Sequence, residues 1–311
     1  MNQQEVWAVV LAGGDGTRLR ALTRFVSGEE RPKQFCSLCG GATLLAQTRS
    51  RLAPAFSPPQ TLFVVVKSHE RFYQQELGDV TPSRLVVQPA NKGTTMAVVS
   101  SLRRVASLAG NPIVAFFPTD HHYSRESQFI ASVRLALDAV RERSEMVVIL
   151  GATAERPEVE YGWIEPSICL ACRSGNAVFR VKRFWEKPSA QIAQALHKRG
   201  CLWNTFVMIG RVAAFLDLLA ATVPGVLAAF EAVGSHLAVN LDTAPAKELY
   251  ASLAPGDFSR QVLSSRTENL AVLRLGDVGW SDLGTPERVM KAMVRAGHRP
   301  YWQQAALHEG Y

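Results

Sequence analysis

The fold is decided by the stretch VWAVVLAGGDGTRL, residues 6–19. Its first six residues are apolar, which predicts a short buried strand. Gly13, Gly14 and Gly16 follow at once, and glycines so close together let the backbone turn sharply and bring its N–H groups against an anion. A strand followed by such a loop predicts a phosphate-binding turn, with a purely structural tight turn as the alternative.

Two other glycine-rich motifs fit this stretch poorly. Gly14-x-Gly16 begins a dinucleotide fingerprint, but Leu19 occupies the place of the third glycine. No Gly-Lys-Ser/Thr follows, which excludes a Walker A loop. We therefore expect a loop of another class that binds nucleotide phosphates. A dinucleotide-dependent oxidoreductase is the alternative class of protein.

Outward from this loop, short apolar runs alternate with longer amphipathic stretches. The apolar runs predict buried strands at residues 6–11, 61–66, 84–87, 113–117 and 146–150. The amphipathic stretches predict helices at residues 42–52, 69–77, 94–108 and 127–143. This alternation predicts an α/β fold with a Rossmann-like, mainly parallel sheet flanked by helices. In such sheets ligands lie beyond the carboxyl ends of the strands, here just after Leu11, Val87, Phe117 and Leu150.

The pattern changes near residue 160, so we expect two parts, residues 1–160 and 161–311, within one domain of about residues 5–290. In the second part we predict strands at residues 161–165, 178–184, 204–209 and 270–275. Helices are predicted at residues 190–198, through most of 212–264 with breaks at Pro224, Pro245 and Pro255, and from Pro286 onward. This less regular order predicts a smaller, mixed α+β lobe.

Composition and charge exclude several classes of protein. The chain has 311 residues and a formal net charge of +7, which favours anionic partners. Its basic residues are scattered and no zinc-finger or RNA-binding signature accompanies them, so we expect small phosphorylated substrates and no nucleic acid. No apolar run is long enough to span a bilayer, and the apolar N-terminal segment lacks a basic leader. We therefore expect no membrane partner and a cytoplasmic location.

Four of the five cysteines form two C-x-x-C pairs, Cys36 with Cys39 and Cys169 with Cys172. Two such pairs can hold a zinc ion, but these are separated by far more residues than in the usual zinc ribbon. Cys36 and Cys39 alternate with apolar residues, where free cysteine packs as a small hydrophobic side chain. We expect thiols at all of these positions, and neither a zinc site nor a disulfide.

A second cationic element, RPKQF at residues 31–35, supports the phosphate-binding interpretation. Arg18 and Lys33 flank the segment between the two elements, and both carry charges that neutralise phosphate oxygens. Pro32 stiffens the backbone before Lys33, which suits an ammonium that must be placed accurately. For either cation alone, a solvated surface charge is the alternative.

These two elements resemble motifs of the sugar-phosphate nucleotidyltransferases, and most closely those of the mannose-1-phosphate guanylyltransferase branch. The resemblance continues in the same order along the chain. It includes FPTDH at residues 117–121, EYGWIE at 160–165, FWEKP at 184–188, WN at 203–204 and GWSDLG at 279–284. Motifs in this order from residue 11 to residue 284 are hard to explain by chance.

The resemblance implies a role for each motif. Arg18, Lys33 and Asp120 are expected to be catalytic. The nucleotide is expected to contact Leu11, Ala12, Gly13, Gly14, Gly16, Thr17, Arg18, Gln88, Gly93 and Asp120. The sugar phosphate is expected to contact Gly162, Glu165, Glu186, Lys187 and Asn204. Asp120 and Asp282 are expected to bind Mg²⁺, which prefers carboxylate oxygens, although a turn or helix-cap role is the alternative for each.

By the same resemblance, the sugar 1-phosphate attacks the α-phosphorus of a nucleoside triphosphate directly and displaces pyrophosphate. GTP and mannose 1-phosphate are the favoured substrates, which would give GDP-mannose. Residues 1–160 would bind the nucleotide and residues 161–311 the sugar phosphate. The protein would act through positioning and charge neutralisation, and no Gly-x-Ser-x-Gly or Cys-His signature indicates covalent catalysis.

The sequence departs from that branch at three places. QPANKGTTM at residues 88–96 stands where the branch has Glu-Pro and then Arg-Asn-Thr-Ala-Pro, Phe206 replaces a glycine after Trp203-Asn204, and Ala21 replaces a proline. Two alternatives therefore stay open: the same reaction with another base or sugar, such as glucose or heptose 1-phosphate, and a catalytically silent homologue that binds a nucleotide sugar and regulates a partner. No hexapeptide-repeat or cupin-like extension is recognised, so we expect no assembly through one, and a homo-oligomer stays open.

Overall fold

The computed structural model describes residues 6–173, 176–234, 241–297 and Trp302. Within these residues the strands are β1 Val6–Leu11, β2 Thr61–Val66, β3 Leu85–Gln88, β4 Ile113–Pro118, β5 His122–Tyr123, β6 Val147–Thr153, β7 Gly162–Arg173, β8 Asn176–Glu186, β9 Leu202–Arg211, β10 Leu270–Arg274 and β11 Trp280–Ser281. The α-helices are α1 Arg20–Ser27, α2 Leu44–Leu52, α3 Glu70–Leu77, α4 Thr94–Ala109, α5 Glu126–Glu142, α6 Ala190–Lys198, α7 Val212–Thr222, α8 Pro224–Val233, α9 Ala244–Ser252 and α10 Pro286–Arg295.

A nine-stranded sheet carries the fold, in the order β3-β2-β1-β4-β9-β6-β10-β8-β7. Strands β3, β2, β1 and β4 run parallel, as do β6 and β10. Strand β9 lies antiparallel between β4 and β6, and β8 is antiparallel to both β10 and β7. The predicted α/β fold with a Rossmann-like sheet is confirmed. The strands after residue 160 extend this same sheet, which makes it mixed as a whole.

Helices cover both faces of the sheet, which explains why its central strands β1 and β4 are apolar at every position. Val10 packs in one buried cluster with Phe117, and Val9 packs in a second cluster with Phe116 on the opposite face. Successive residues of a strand point to opposite faces, so a strand buried on both sides reads as a continuous apolar run. A third cluster joins α1 to α10 and fixes the GWSDLG segment near the glycine loop.

Most predicted helices and strands begin and end within two residues of their observed bounds. Helix α2 begins at Leu44, two residues later than predicted, because the Thr43 side chain accepts a hydrogen bond from the Ala46 amide at 3.1 Å and caps the helix. No single described helix is long and apolar enough to cross a membrane, although α7 and α8, bent by 113° at their junction, pass that length and composition test together.

The larger differences lie after residue 160. Strands β7 and β8 form a longer hairpin than predicted, since their register shifts at several points and breaks the alternation of apolar residues. The predicted helical region 212–264 contains α7, α8, α9 and a π-helical turn over Ser259–Leu263, while residues 235–240 lie outside the description. Strands β5 and β11 were not predicted, because two residues each are too short to show a pattern.

The cysteine prediction is correct for one pair and wrong for the other. Cys36 and Cys39 are free and buried, and burial raises the pKa of their thiols to about 11 and about 12. Cys169, in contrast, is disulfide-bonded. It lies on β7, opposite Phe179 of β8 at a point where the register of the hairpin shifts, and the prediction placed no strand at residue 169. The Cys172 side chain lies outside the description.

Candidate active site

A cavity of about 490 Å³ opens at the carboxyl ends of β1, β3 and β4. Leu11, Gln88 and Pro118, which end these three strands, all line it. The cavity therefore lies at three of the four strand ends where the sequence predicts a ligand. The residues just after Leu150 do not line the cavity, because β9 separates β6 from β4 and Gly151 packs against Leu202.

Most of the residues predicted for the site come together around this cavity. Its lining includes Leu11, Gly13, Gly14, Gly16, Thr17, Arg18, Lys33, Gln88, Gly93, Asp120, Gly162, Glu186, Lys187, Asn204 and Asp282. Ala12 lies beneath the surface, with its carbonyl oxygen bound by Gln34. Glu165 also lies outside the lining, because its carboxylate is held by Lys182 at 3.1 Å and Arg199 at 2.9 Å.

The glycine loop after β1 is held in place by side chains from three other segments. Gln34 Nε2 donates hydrogen bonds of 2.8 Å to the carbonyl oxygens of Ala12 and Gly14. Asp15 pairs with His69 at 3.2 Å and accepts a hydrogen bond from Asn91 at 2.8 Å. Gly16 has φ 60°, and a Cβ there would lie 3.1 Å from the Lys33 amide nitrogen. The loop is therefore a fixed surface, and only glycine fits at its turn.

Lys33 joins the glycine loop to both predicted metal-binding segments. Its ammonium lies 2.9 Å from Asp120 Oδ2 and donates hydrogen bonds to the carbonyl oxygens of Asp282 at 3.2 Å and Leu283 at 3.3 Å. An ammonium has three N–H donors, so these contacts use its full capacity. Although burial alone would raise the pKa of Asp120, the nearby Lys33 lowers it below its usual range. Asp120 is therefore ionised at neutral pH.

Asp282 is the centre of a buried ionic network. Its Oδ1 accepts hydrogen bonds from the Tyr161 hydroxyl at 2.9 Å and the Gly284 amide at 3.0 Å. The Arg288 guanidinium contacts both carboxylate oxygens, reaches Glu158 at 2.9 Å and lies over the Tyr161 ring. Only 7% of the Arg288 side chain is exposed, so its guanidinium contacts protein carboxylates and holds Asp282 and Glu158 in place.

The two aspartates form a donor set that fits a hard divalent cation. Asp120 Oδ1 is 3.8 Å from His121 Nε2, which is beyond hydrogen-bond distance, and Asp282 Oδ2 accepts from Arg288 at 3.1 Å. Because a carboxylate oxygen has two lone pairs, Asp120 Oδ1 and Asp282 Oδ2 can both still accept a contact from a metal ion. The described residues contain no group of three or more His, Cys, Asp or Glu suited to a metal ion, so phosphate oxygens and water would complete the coordination.

His121 is oriented as a neutral imidazole beside Asp120. Trp280 Nε1 donates to His121 Nδ1 at 3.2 Å, so Nδ1 is the acceptor and Nε2 carries the proton that faces Asp120. Burial is the main reason that the pKa of His121 is lowered. His121 thus lies beside Asp120 as a neutral ring without a hydrogen bond to it, and the preference of magnesium for oxygen ligands disfavours it as a metal ligand.

The opposite end of the cavity is lined by Gly162, Glu186, Lys187 and Asn204 from the ends of β7 and β8 and from β9. A Cβ on Gly162 would lie 2.9 Å from Glu186 Oε2, so glycine is required for this close packing. Burial, aided by the negative charge of Asp257, raises the pKa of Glu186 to about 7. Lys187 has φ 46°, a conformation that is rare for a residue other than glycine and that is often found at functional sites.

The departures from the family pattern at residues 88–96 have a structural cause. Gly93 has φ 84°, and any Cβ there would overlap the Gly256 carbonyl oxygen. The segment that follows α9 docks here through hydrogen bonds from the Gly256 amide to the Lys92 carbonyl and from the Thr95 amide to the Gly256 carbonyl. Gln88 Nε2 donates to the Tyr250 hydroxyl at 3.0 Å, which leaves Oε1 as the acceptor near Gly13.

Sequence reasoning assigned no role to several residues that the structure places at the cavity. Gln34 lies within the RPKQF motif, so its position beside Lys33 was the signal that pointed to it. Tyr161 and Glu160 lie within the EYGWIE motif in the same way. Asp257 and Ser259 have no such signal, because they come from the irregular segment after α9 and from the start of the π-helical turn that follows it, and they reach the cavity through the packing of residues 253–258.

Together, the sheet, the glycine loop at its carboxyl edge and the paired aspartates define an α/β nucleotide-binding protein. The chain belongs to the Nucleotidyl transferase family, which matches residues 7–298. The expected relation to sugar-phosphate nucleotidyltransferases is thereby confirmed.

Individual relatives agree with this assignment. The chain is 30% identical to the xanthan biosynthesis protein XanB of Xanthomonas campestris over 90% of its own length and 58% of that protein. It is 29% identical to the mannose-1-phosphate guanylyltransferase of Escherichia coli, over 92% of the chain and 59% of that enzyme. A Thermus thermophilus crystal structure, described as a mannose-1-phosphate geranyltransferase, superposes with a TM-score of 0.75 at 31% identity, over 90% of this chain and 76% of that one. The chain thus spans less than two thirds of the length of the Xanthomonas and Escherichia relatives.

Proposed function

We propose that this chain transfers a nucleotidyl group from a nucleoside triphosphate to a hexose 1-phosphate, most specifically from GTP to mannose 1-phosphate, and releases pyrophosphate. One observation carries the proposal. A single cavity joins a glycine loop, the Asp120 and Asp282 segments that Lys33 ties together, and a wall that carries the polar side chains of Glu186 and Asn204. The names of relatives from Escherichia coli and Salmonella typhimurium support the choice of GTP and mannose 1-phosphate.

The reaction needs no protein nucleophile. The sugar phosphate is already an anion, and its oxygen attacks the α-phosphorus while the bond to pyrophosphate breaks in line with it. The glycine loop supports the triphosphate, and Arg18, which is half exposed at the cavity and paired with Glu160 at 3.0 Å, contributes positive charge to neutralise it. Glu186 and Asn204 hold the sugar hydroxyls, and Lys187 pairs with the sugar's phosphate. Catalysis then comes from alignment and charge stabilisation.

Magnesium is the cofactor that this site would take. Asp120 and Asp282 would hold it, since both line the cavity and each keeps an oxygen with acceptor capacity. When bound, the ion would supply positive charge that polarises the phosphates. The contribution of this chain is to fix the two carboxylates, through Lys33 at Asp120 and through Arg288, Tyr161 and the Gly284 amide at Asp282.

A second candidate keeps the chemistry and changes the base or the sugar. It is favoured by the remodelled loop at residues 88–96, where Gly93 replaces a residue with a side chain and the segment at Gly256 fills the space. Gln88 Oε1 is an acceptor, which would recognise a donor group on a base edge. Guanine offers such donors, and so does cytosine or adenine through its amino group.

Pyrophosphate release with magnesium, measured across the four nucleoside triphosphates and a panel of sugar 1-phosphates, tests the proposal. The expected result is a strong signal for GTP with mannose 1-phosphate. A signal for another pair would keep the chemistry and select the second candidate. If every combination is silent while nucleotide sugars still bind, the chain is a binding homologue and the proposed activity is wrong.

A further inference from the structure

Phe206 has an unusual backbone conformation at the wall of the cavity. Its φ is 57°, in the left-handed region that bulky side chains rarely adopt. Among the described residues, the others with positive φ that are not glycine are Lys187, which lines the same cavity, and Leu283, which follows Asp282. Strained residues collected at one site indicate that the surrounding structure holds them there for a functional reason.

The local structure around Phe206 enforces this conformation. On β9, Asn204 pairs with Gly151 and Met208 pairs with Ile149, so the three residues between them oppose a single residue of β6. The strand therefore bulges at Phe206. Asn204 Oδ1 accepts a hydrogen bond from the Phe206 amide at 2.9 Å, and the Thr205 hydroxyl donates to the Leu150 carbonyl at 2.6 Å. These contacts fix the bulge and turn residue 206 toward the cavity.

The Phe206 side chain is an apolar group in the part of the cavity wall that also carries Asn204, Asp257 and Ser259. Its ring packs edge to face against the buried Phe258, with ring centres 6.2 Å apart. Asn204, which accepts the hydrogen bond from the Phe206 amide, also contacts Ser259 at 3.4 Å, and Asp257 lines the cavity from the same segment as Ser259. The benzyl group thus occupies space beside the groups assigned to sugar hydroxyls and offers them no hydrogen bond.

We propose that Phe206 determines the specificity for the sugar: it admits hexose 1-phosphates and excludes N-acetylhexosamine 1-phosphates. This inference rests on the proposed function. The ring presents a surface suited to sugar C–H groups, whereas an acetamido group placed against it would meet a steric obstacle and would find no hydrogen-bond partner on the ring. A polar group buried without partners is disfavoured, so exclusion follows from chemistry as well as from size.

The test compares Phe206→Gly with Phe206→Leu. Glycine adopts positive φ freely, so the bulge is kept while the ring is removed. Leucine keeps an apolar side chain of similar reach and is the matched control. We expect Phe206→Gly to raise kcat/KM for N-acetylhexosamine 1-phosphates relative to the parent hexose 1-phosphates by about tenfold or more, and Phe206→Leu to leave that ratio close to that of the unmodified protein. Thermal melting of each variant checks that it is folded.

Two results would overturn the inference. One is an unchanged sugar ratio in a folded Phe206→Gly protein, and the other is a change in nucleotide preference with the sugar preference kept. If the unmodified protein releases no pyrophosphate with any pair, the proposed function fails first. Calorimetric titration of N-acetylglucosamine 1-phosphate and glucose 1-phosphate then decides the role of Phe206, since only a gain in affinity for the former in Phe206→Gly supports it.

Discussion

The two ends of the cavity are built in different ways. At the end proposed to bind the phosphates (the phosphate end), the glycine loop and Lys33 belong to short motifs close in sequence, and Asp120 comes directly after β4. At the end proposed to bind the sugar (the sugar end), Glu186 and Asn204 come from β8 and β9, and Asp257 comes from an irregular segment that docks on residues 92–95. The phosphate end depends on backbone geometry that few residues satisfy, while the sugar end depends on packing that side-chain changes can alter.

The largest effect is expected at the junction of the two ends. Arg288→Met would leave the partly buried Asp282 carboxylate without its cation, and would leave Glu158 paired with Arg156 alone. Breaking a buried ion pair from one side costs about 3–5 kcal/mol in the free energy of unfolding, which corresponds to a fall in melting temperature of roughly 5–10 °C. Arg295→Met is the matched control, because its pair with Glu155 is half exposed and contributes below about 1 kcal/mol. Equal melting temperatures for the two variants would show that the network does not stabilise the fold.

At the phosphate end, Lys33→Ala is expected to lower kcat by about 10²–10³-fold, since a preorganised charge near the reacting phosphates is lost and Asp120 loses its partner. The measurement is steady-state pyrophosphate release, with circular dichroism to confirm folding. Lys67→Ala, which removes an exposed lysine paired with Glu70, should keep kcat. A change of less than threefold in Lys33→Ala would reduce Lys33 to a structural charge.

A smaller loss, about 10²-fold, is expected for Asp282→Asn, because the amide keeps the hydrogen bonds to Tyr161 and Gly284 in part but is a poor ligand for magnesium. The loss should be accompanied by a higher magnesium requirement, seen when turnover is titrated with the ion. Asp277→Asn, at an exposed pair with Arg125, is the control. Full turnover of Asp282→Asn at saturating magnesium would show that Asp282 is not a metal ligand.

The same contrast explains how much could be predicted from the sequence. The first strand, the glycine loop and the positions of Lys33 and Asp120 were predictable, because a buried parallel strand and a turn that demands glycine leave clear local signals. The insertion of β9 between β4 and β6 was not, since it is a long-range pairing with no local pattern. Glu165 illustrates the limit at the sugar end: its motif suggested a ligand contact, but Lys182 and Arg199 hold its carboxylate away from the cavity.

The smallest expected effect concerns the pH dependence at the sugar end. Burial and Asp257 raise the pKa of Glu186 to about 7, so its carboxylate is mostly protonated at pH 6 and mostly ionised at pH 8. If the ionised form accepts hydrogen bonds from sugar hydroxyls, KM for the sugar 1-phosphate should fall by about tenfold between these pH values. The substrate phosphate also titrates near pH 6, so the informative quantity is the difference from Glu186→Gln.

Glu186→Gln should keep the part of the pH profile that comes from the substrate and lose the part that comes from residue 186. Glu165→Gln is the control, because although burial opposes ionisation, Lys182 and Arg199 keep the pKa of Glu165 below its usual range and it does not titrate between pH 6 and 8. Identical profiles for the unmodified protein and Glu186→Gln would mean that the hydroxyl contacts do not depend on the charge of Glu186. The sugar end would then select its ligand through the shape of groups such as Phe206 and the uncharged hydrogen bonds of groups such as Asn204.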